Sequence, residues 1–332
     1  MKRTWRLLAA IVVASLGLPA GVGAAVTLRL GHQNNPGHPI HEAAVHFAEQ
    51  VAKKTNGEVQ IKVFPSAQIG RMSELWTGVK IGTIEMAGSL VPALGADLVP
   101  GLTIFDAPYT FRDVEHFHKV SRGPIGQELT KQLTEKAGVR ILYYQYFGTR
   151  HLTTSTKPIR KPEDLKGMKI RAVTIPILMA TVEGMGATPT PIDFAEVYQS
   201  LRSGLVDGQE NPVTSIYSMK FQDVQKYLML TGHVFGIICT MVNEKVYQSL
   251  SPQARRAIEE AAVEAANLGD SLTVKQEGEL VGELRKAGMT VIGPEQGLDV
   301  EAFRKRVQGQ VFPKFEAKWT KARMDQVQSL GK

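Results

Sequence analysis

A helical pattern opens at Ser251-Pro252 and runs to about Ala287. Ala254, Ile258, Ala261, Ala262, Ala265, Leu268 and Leu272 keep helical spacing, and Leu280 and Leu284 continue it. Unbroken, such a helix would be roughly 50 Å long at about 1.5 Å per residue. That is too long for one domain of this chain, so the pattern points to a helix shared by two. Gly269 and Gly278 lie inside it and weaken its local propensity.

The rest of the chain says what the domains are. Val26 to Gly31 alternates as a strand, a loop follows, and a helix begins near His38 or Pro39, with Ile40, Ala43, Ala44, Phe47, Ala48 and Val51 on one face. Val59 to Phe64, a helix from about Met72 to Ile81, and a short strand Ile84 to Ala87 complete a β-α-β-α-β order. This predicts a mostly parallel sheet covered by helices. A second α/β block follows. It has a strand from Ile141 to Phe147 ending at Gly148-Thr149-Arg150, a strand from Met168 to Val173, a helix from Pro176, and an extended stretch from Thr188 to Ile192. Asp193 to Glu196 has the spacing of a capping box.

The N-terminus supplies an address. Lys2, Arg3 and Arg6 precede an apolar stretch from Leu7 to Leu18, and small residues up to Ala24 or Ala25 suit cleavage. That is the layout of a secretory signal peptide and is short for a membrane span. Without those three cations, 36 Lys and Arg face 32 Asp and Glu, a balance of +4. No run of five basic residues occurs, so there is no electrostatic footprint for nucleic acid. Cys239 is the single cysteine, set in an apolar run, and reads as a buried hydrophobe.

No G-x-S-x-G, Walker-type loop, H-E-x-x-H or dinucleotide fingerprint is present, so neither an enzyme nor a bound cofactor is expected. His32, His38, His41 and His46 are close in sequence, but their spacing is poor for one metal, and none is expected. His116 and His118 read as surface. Arg150 and Arg171 sit at or near the carboxyl ends of strands, where open α/β sheets bind ligands. A guanidinium there can hold a carboxylate through two parallel hydrogen bonds. An internal ion pair explains either arginine equally well. Asn211, held extended before Pro212, is a local cap or a ligand contact, and Phe194 is core or cleft wall.

These residues fall in a known order. Asp164 to Ala172 (D-L-K-G-M-K-I-R-A), Gly186 to Leu201 (G-A-T-P-T-P-I-D-F-A-E-V-Y-Q-S-L) and Val206 to Pro212 (V-D-G-Q-E-N-P) form the strongest stretch. With Pro65 to Gly70, Ile81 to Met86 and Phe147 to Ser155, they make the chain resemble the solute-binding proteins of tripartite ATP-independent periplasmic (TRAP) transporters. The resemblance implies an α/β, two-lobed periplasmic-binding-protein fold with a long helix spanning both lobes. It implies a signal peptide over 1–24, a first lobe from 25–147 and 236–275, and a second from 148–235 and 276–332. Arg171 would clamp a ligand carboxylate and Arg150 would assist. Asn211 and Phe194 would line the cleft, joined from the first lobe by His32 or Gln33 and by a residue near Ser89.

The implied partners are a small organic acid and two membrane subunits driven by an ion gradient, with the receptor a periplasmic monomer. Ala87 to Leu90 carries no acidic residue, which argues against sialic acid. A sugar acid, a 2-oxo acid, a C4-dicarboxylate and an aromatic acid all remain compatible. A receptor for an ATP-driven importer or for chemosensing, and a periplasmic enzyme on the same scaffold, are the competing classes.

Overall fold

The computed structural model describes residues 25–331; the expected signal peptide lies outside them. In chain order the first block is β1 (Val26–Gly31), α1 (Pro39–Lys54), β2 (Val59–Phe64), α2 (Met72–Ile81), β3 (Met86–Leu90), α3 (Val114–Ser121) and α4 (Pro124–Ala137). The second is β4 (Val139–Thr154), β5 (Lys169–Ala172), α5 (Pro176–Met185), β6 (Thr188–Pro191), α6 (Val197–Arg202), β7 (Gly208–Pro212) and α7 (Val213–Ser218). The chain then returns through β8 (Tyr227–Asn243), α8 (Glu244–Ser249), α9 (Pro252–Lys286), β9 (Thr290–Ile292), α10 (Val300–Trp319) and α11 (Lys321–Leu330).

The strands pair in the order β2-β1-β3-β8-β4-β7-β5-β6, with β9 beside β8. β1 is parallel to β2 and β3, and β5 is parallel to β6 and β7. Each lobe therefore has its own short parallel sheet. The long antiparallel pair β4 and β8 joins them. At about 3.3 Å per residue, the 16 residues of β4 extend roughly 50 Å.

β4 does not stop at Gly148, as its sequence suggested, but continues to Thr154. Gly148 takes φ +114°, which a side chain rarely tolerates. The register with β8 shifts between Tyr146 and Gly148, so the strand bends and passes from one lobe into the other. At the bend the amides of Tyr146 and Thr149 donate to Asp270 Oδ1 and Glu277 Oε1 of α9, at 2.7 and 2.6 Å.

α9 is unbroken over 35 residues. Its first half packs Ala254, Ile258, Ala261, Ala262 and Ala265 against Phe47 and Val51 of the first lobe. Its last turns place Leu284 in a core with Phe194, Phe221 and Val291 of the second. The small residues of its first half let the helix lie close on α1 and β4. At Gly269 an added Cβ would sit 1.9 Å from Gln145 Nε2 and 3.0 Å from Ala43 Cβ. The glycine is there for contact, not for bending.

Two histidines differ from their sequence reading. His116 is buried, and its Nε2 lies 2.7 Å from the carbonyl of Val327 in α11. His118 is half-buried and pairs with Asp270 at 2.7 Å. Helix α11 thus packs on α3 of the first block, with Arg323 of α11 reaching Glu128 of α4 at 2.8 Å. Cys239 lies in the core with no exposed surface. Among the described residues, no helix is long and apolar enough to cross a membrane.

Replacing a helical glycine by alanine ordinarily stabilises by up to about 1 kcal/mol. Gly278 has open space around its Cβ position, so Gly278→Ala is expected to raise the denaturation midpoint. Gly269→Ala is expected to lower it, by about 1–3 kcal/mol for overpacking. Urea titration of the two variants checks the contrast.

Candidate functional site

The sheet brings the ends of several strands to one narrow cleft between the lobes. Gln33, Ser89, Arg150, Arg171, Phe194 and Asn211 all line it. Thus six of the seven residues singled out from sequence meet there, although they are spread over nearly two hundred positions. The rest of the wall is largely apolar, with Met72, Val91, Phe147, Val173, Ile192 and Ile238, and with Thr174 and Asp193 as further polar groups.

His32 is the exception. Side chains alternate at the end of a strand, so when Gln33 faces the cleft its neighbour turns away. His32 is fully buried toward α1, with its Nε2 3.2 Å from His41 Nδ1. Asn34 is buried behind the cleft lining, and its Oδ1 accepts Ser89 Oγ–H at 2.5 Å. Ser89 holds φ +58°, and the pairing of β3 with β8 slips between Ala87 and Leu90. Left-handed backbone at a non-glycine residue costs on the order of 1–3 kcal/mol, and here it accompanies the slip in β3 that brings Ser89 to the cleft.

The two arginines differ sharply. Arg150 on β4 is held by Glu210 on the neighbouring β7: Nε donates to Oε2 at 2.5 Å and Nη2 to Oε1 at 2.7 Å. Nη2 also donates to the carbonyl of Glu210 and to Asn211 Oδ1, at 2.8 and 3.2 Å. On the other side His233 of β8 approaches Glu210 Oε2 at 3.1 Å. Burial alone would raise the carboxyl pKa of Glu210, but Arg150 and His233 hold it at about 2. Both oxygens of Glu210 are engaged, and the network is nearly closed to solvent.

Arg171 on β5 has no such partner. Its Nε donates to the carbonyl of Ile192 at 2.8 Å, which fixes the plane of the guanidinium. Its Nη1 is buried without any hydrogen bond. Burial pulls its pKa down to about 10, opposed by Glu210 and Asp193 and assisted by Arg150. It therefore stays charged at neutral pH. A buried donor on a charged group is normally satisfied, and leaving one unmet costs about 1–3 kcal/mol or more.

Asn211, extended before Pro212, spends one amide hydrogen on Gln209 Oε1 at 2.6 Å. Phe194 stacks edge-on against Phe221, with ring centroids 6.4 Å apart, and presents a firm apolar wall. The lobes touch above this floor. His38 Nε2 lies 3.2 Å from Ser215 Oγ, and Arg71 of the first lobe reaches Asp193 and Glu196 of the second at 2.9 and 2.5 Å.

Sequence reading missed Glu210, His233, Arg71 and Asp193 as parts of the site. Glu210 carried a signal, since a charge inside the buried strand G-Q-E-N-P requires a partner. Arg71 carried none, because it meets its partners only when two distant lobes come together.

This is a two-lobed binding-protein fold built around an interlobe cleft. Residues 30–318 match the family described as bacterial extracellular solute-binding protein, family 7. The chain belongs to that family, and it is a solute-binding protein of the TRAP type. It is 36% identical over 290 residues, 87% of this chain and 86% of the relative, to the 2,3-diketo-L-gulonate-binding periplasmic protein YiaO of Escherichia coli K12. A solved TRAP periplasmic solute-binding protein of Roseobacter denitrificans with bound L-galactonate superposes with a TM-score of 0.84 at 33% identity, over 92% of this chain and 99% of that one. Another, from Sulfurospirillum deleyianum with bound succinate, gives a TM-score of 0.85 at 29% identity, over 92% and 99%.

Three buried imidazoles set an acid limit. Burial, then neighbouring histidines, lowers His32 to about 4 and His38 and His151 to about 3. The ring nitrogens of His38 and His151 accept the amides of Ile40 and Gly232, which requires them unprotonated. The unfolded chain takes up these protons near pH 6.5 and the native state does not. Stability is therefore full above about 6.5 and falls toward pH 4, by about 1.4 kcal/mol per pH unit for each group. Asp106, raised to about 7 by burial, and Glu277, also raised by burial, work in the opposite sense but are two groups against three. The melting temperature is expected to drop between pH 7 and pH 5. A flat profile by scanning calorimetry would contradict this.

Proposed function

We propose that this chain is the periplasmic receptor of a TRAP transporter and that it captures a polyhydroxylated monocarboxylate, a sugar acid, with Arg171 as the carboxylate clamp. The observation that carries this is the buried, unpartnered Nη1 of Arg171 in the cleft wall. A buried cationic donor in that state is best complemented by an anion, and a carboxylate matches the planar fork.

The charge balance supports one carboxylate. Glu210 cancels Arg150, so Arg150 acts by shaping the field and positioning Asn211. A C4-dicarboxylate needs a second cation, and Arg71 at the cleft mouth is already held by Asp193 and Glu196. Gln33, Ser89, Thr174 and Asn211 offer polar atoms for hydroxyls, while Phe194 and Phe147 pack on the carbon chain. The relative named for diketogulonate and the solved structure with bound L-galactonate support an acid of this kind.

In this reading residues 1–24 direct export and are removed. Residues 25–147 with 236–275 form one lobe, and 148–235 with 276–332 the other, apart from the packing of α11. The ligand draws the lobes together to the extent of its extra affinity for the closed form. The closed monomer then delivers the acid to two membrane subunits that use an ion gradient. No chemical step is assigned to the cleft.

Arg171→Met is expected to weaken binding of a sugar acid by about 2–5 kcal/mol in titration calorimetry, as for one partner of a buried charge pair. The same change removes an unpaired buried charge, so the ligand-free protein should melt no lower than the wild type. Arg171→Lys should also bind poorly, because a point charge cannot replace the fork. Undiminished binding by Arg171→Met would remove the clamp.

A further inference from the structure

Asp193 forgoes the bond its position offers. It stands where a helical turn begins, a place where a carboxylate usually accepts a backbone amide. Its side chain makes no such bond. Instead it lines the cleft, and its Oδ2 accepts Arg71 Nη1 at 2.9 Å. Glu196 takes Arg71 Nη2 at 2.5 Å from outside the cleft lining. Arg71 belongs to the first lobe and both carboxylates to the second, so these ion pairs cross the opening.

A bare carboxylate would repel the anion that Arg171 is built to hold. Arg71 offsets part of that charge, but it is one cation shared by two carboxylates, so the cluster stays net negative. What the cleft gains is a strong acceptor, and a carboxylate oxygen binds an O–H donor roughly twice as strongly as a neutral acceptor does. Asp193 and Arg171 also feel each other electrostatically, which places them in the same field.

We propose that Asp193 is a specificity-determining residue: it accepts hydrogen bonds from hydroxyl groups of the ligand. A second carboxylate in that place meets like charge, and an unsubstituted chain leaves the acceptor unpaired. Both are penalties against wrong ligands rather than gains for the right one. This inference rests on the Arg171 clamp.

The test is calorimetry of the exported protein and its Asp193→Ala, Glu196→Ala and Arg171→Met variants with L-galactonate and with succinate. Circular dichroism checks that each variant is folded. Asp193→Ala is expected to lower galactonate affinity at least tenfold and to narrow the galactonate-to-succinate ratio by a similar factor. Glu196→Ala, which loosens the same interlobe contact outside the cleft, should change both affinities by one common factor. If Asp193→Ala leaves the ratio unchanged while Arg171→Met abolishes binding, Asp193 is only an interlobe contact and the inference falls alone. A wild type that prefers succinate overturns this inference and the sugar-acid reading together, while leaving the Arg171 clamp in place. A wild type that binds neither acid, or an Arg171→Met variant that binds galactonate normally, removes the clamp and this inference with it.

Discussion

Two guanidinium groups have been taken out of water within one cleft, and the protein supplies a buried carboxylate to only one of them. Glu210 reaches Arg150 through both of its oxygens and is itself braced by His233. Arg171 receives a single carbonyl, that of Ile192. Burying an ion costs several kcal/mol unless it is paired with good geometry, so the second arginine is held at a free-energy cost. The surrounding sheet must be rigid enough to enforce that. β5 is central between β6 and β7, and Ala172 and Ile170 beside Arg171 are buried in the core.

The same constraint explains the architecture around it. The three strands that carry the ion network, β7, β4 and β8, are adjacent, so Glu210, Arg150 and His233 meet across the sheet rather than along one strand. β4 and β8 also run on into the first lobe, and α9 lies along them with cores at both of its ends. A change in the spacing of the lobes must therefore be taken up by bends in long continuous elements. The positive-φ glycine at 148 and the neighbouring slip in register mark one such bend, and it sits two residues from Arg150.

Much of this was legible from the amino-acid order. The alternation of β1 and β2, the helical face of α1 and the span of α9 follow from apolar periodicity, because each buries one face against a sheet or a core. The arginines were visible as charges at strand ends. What pattern could not decide was which of them is an internal ion pair. That depended on Glu210, whose distance from Arg150 is fixed by strand order and not by sequence spacing. The passage of β4 through Gly148 was hidden because glycine before a polar pair reads as a stop. His32 and Gln33 could not be separated without knowing which face of the strand end meets the cleft. The burial of His116 depends on α11 returning to the first lobe, a contact over two hundred residues.

A crystal structure of the protein grown with L-galactonate would decide whether the unpaired guanidinium is the ligand's anchor. The carboxylate is expected within hydrogen-bonding distance of Arg171 Nη1, with the Arg150–Glu210 pair unbroken beside it. An acid bound with its carboxylate on Arg150 and Glu210 displaced, or bound away from β5 altogether, would contradict it.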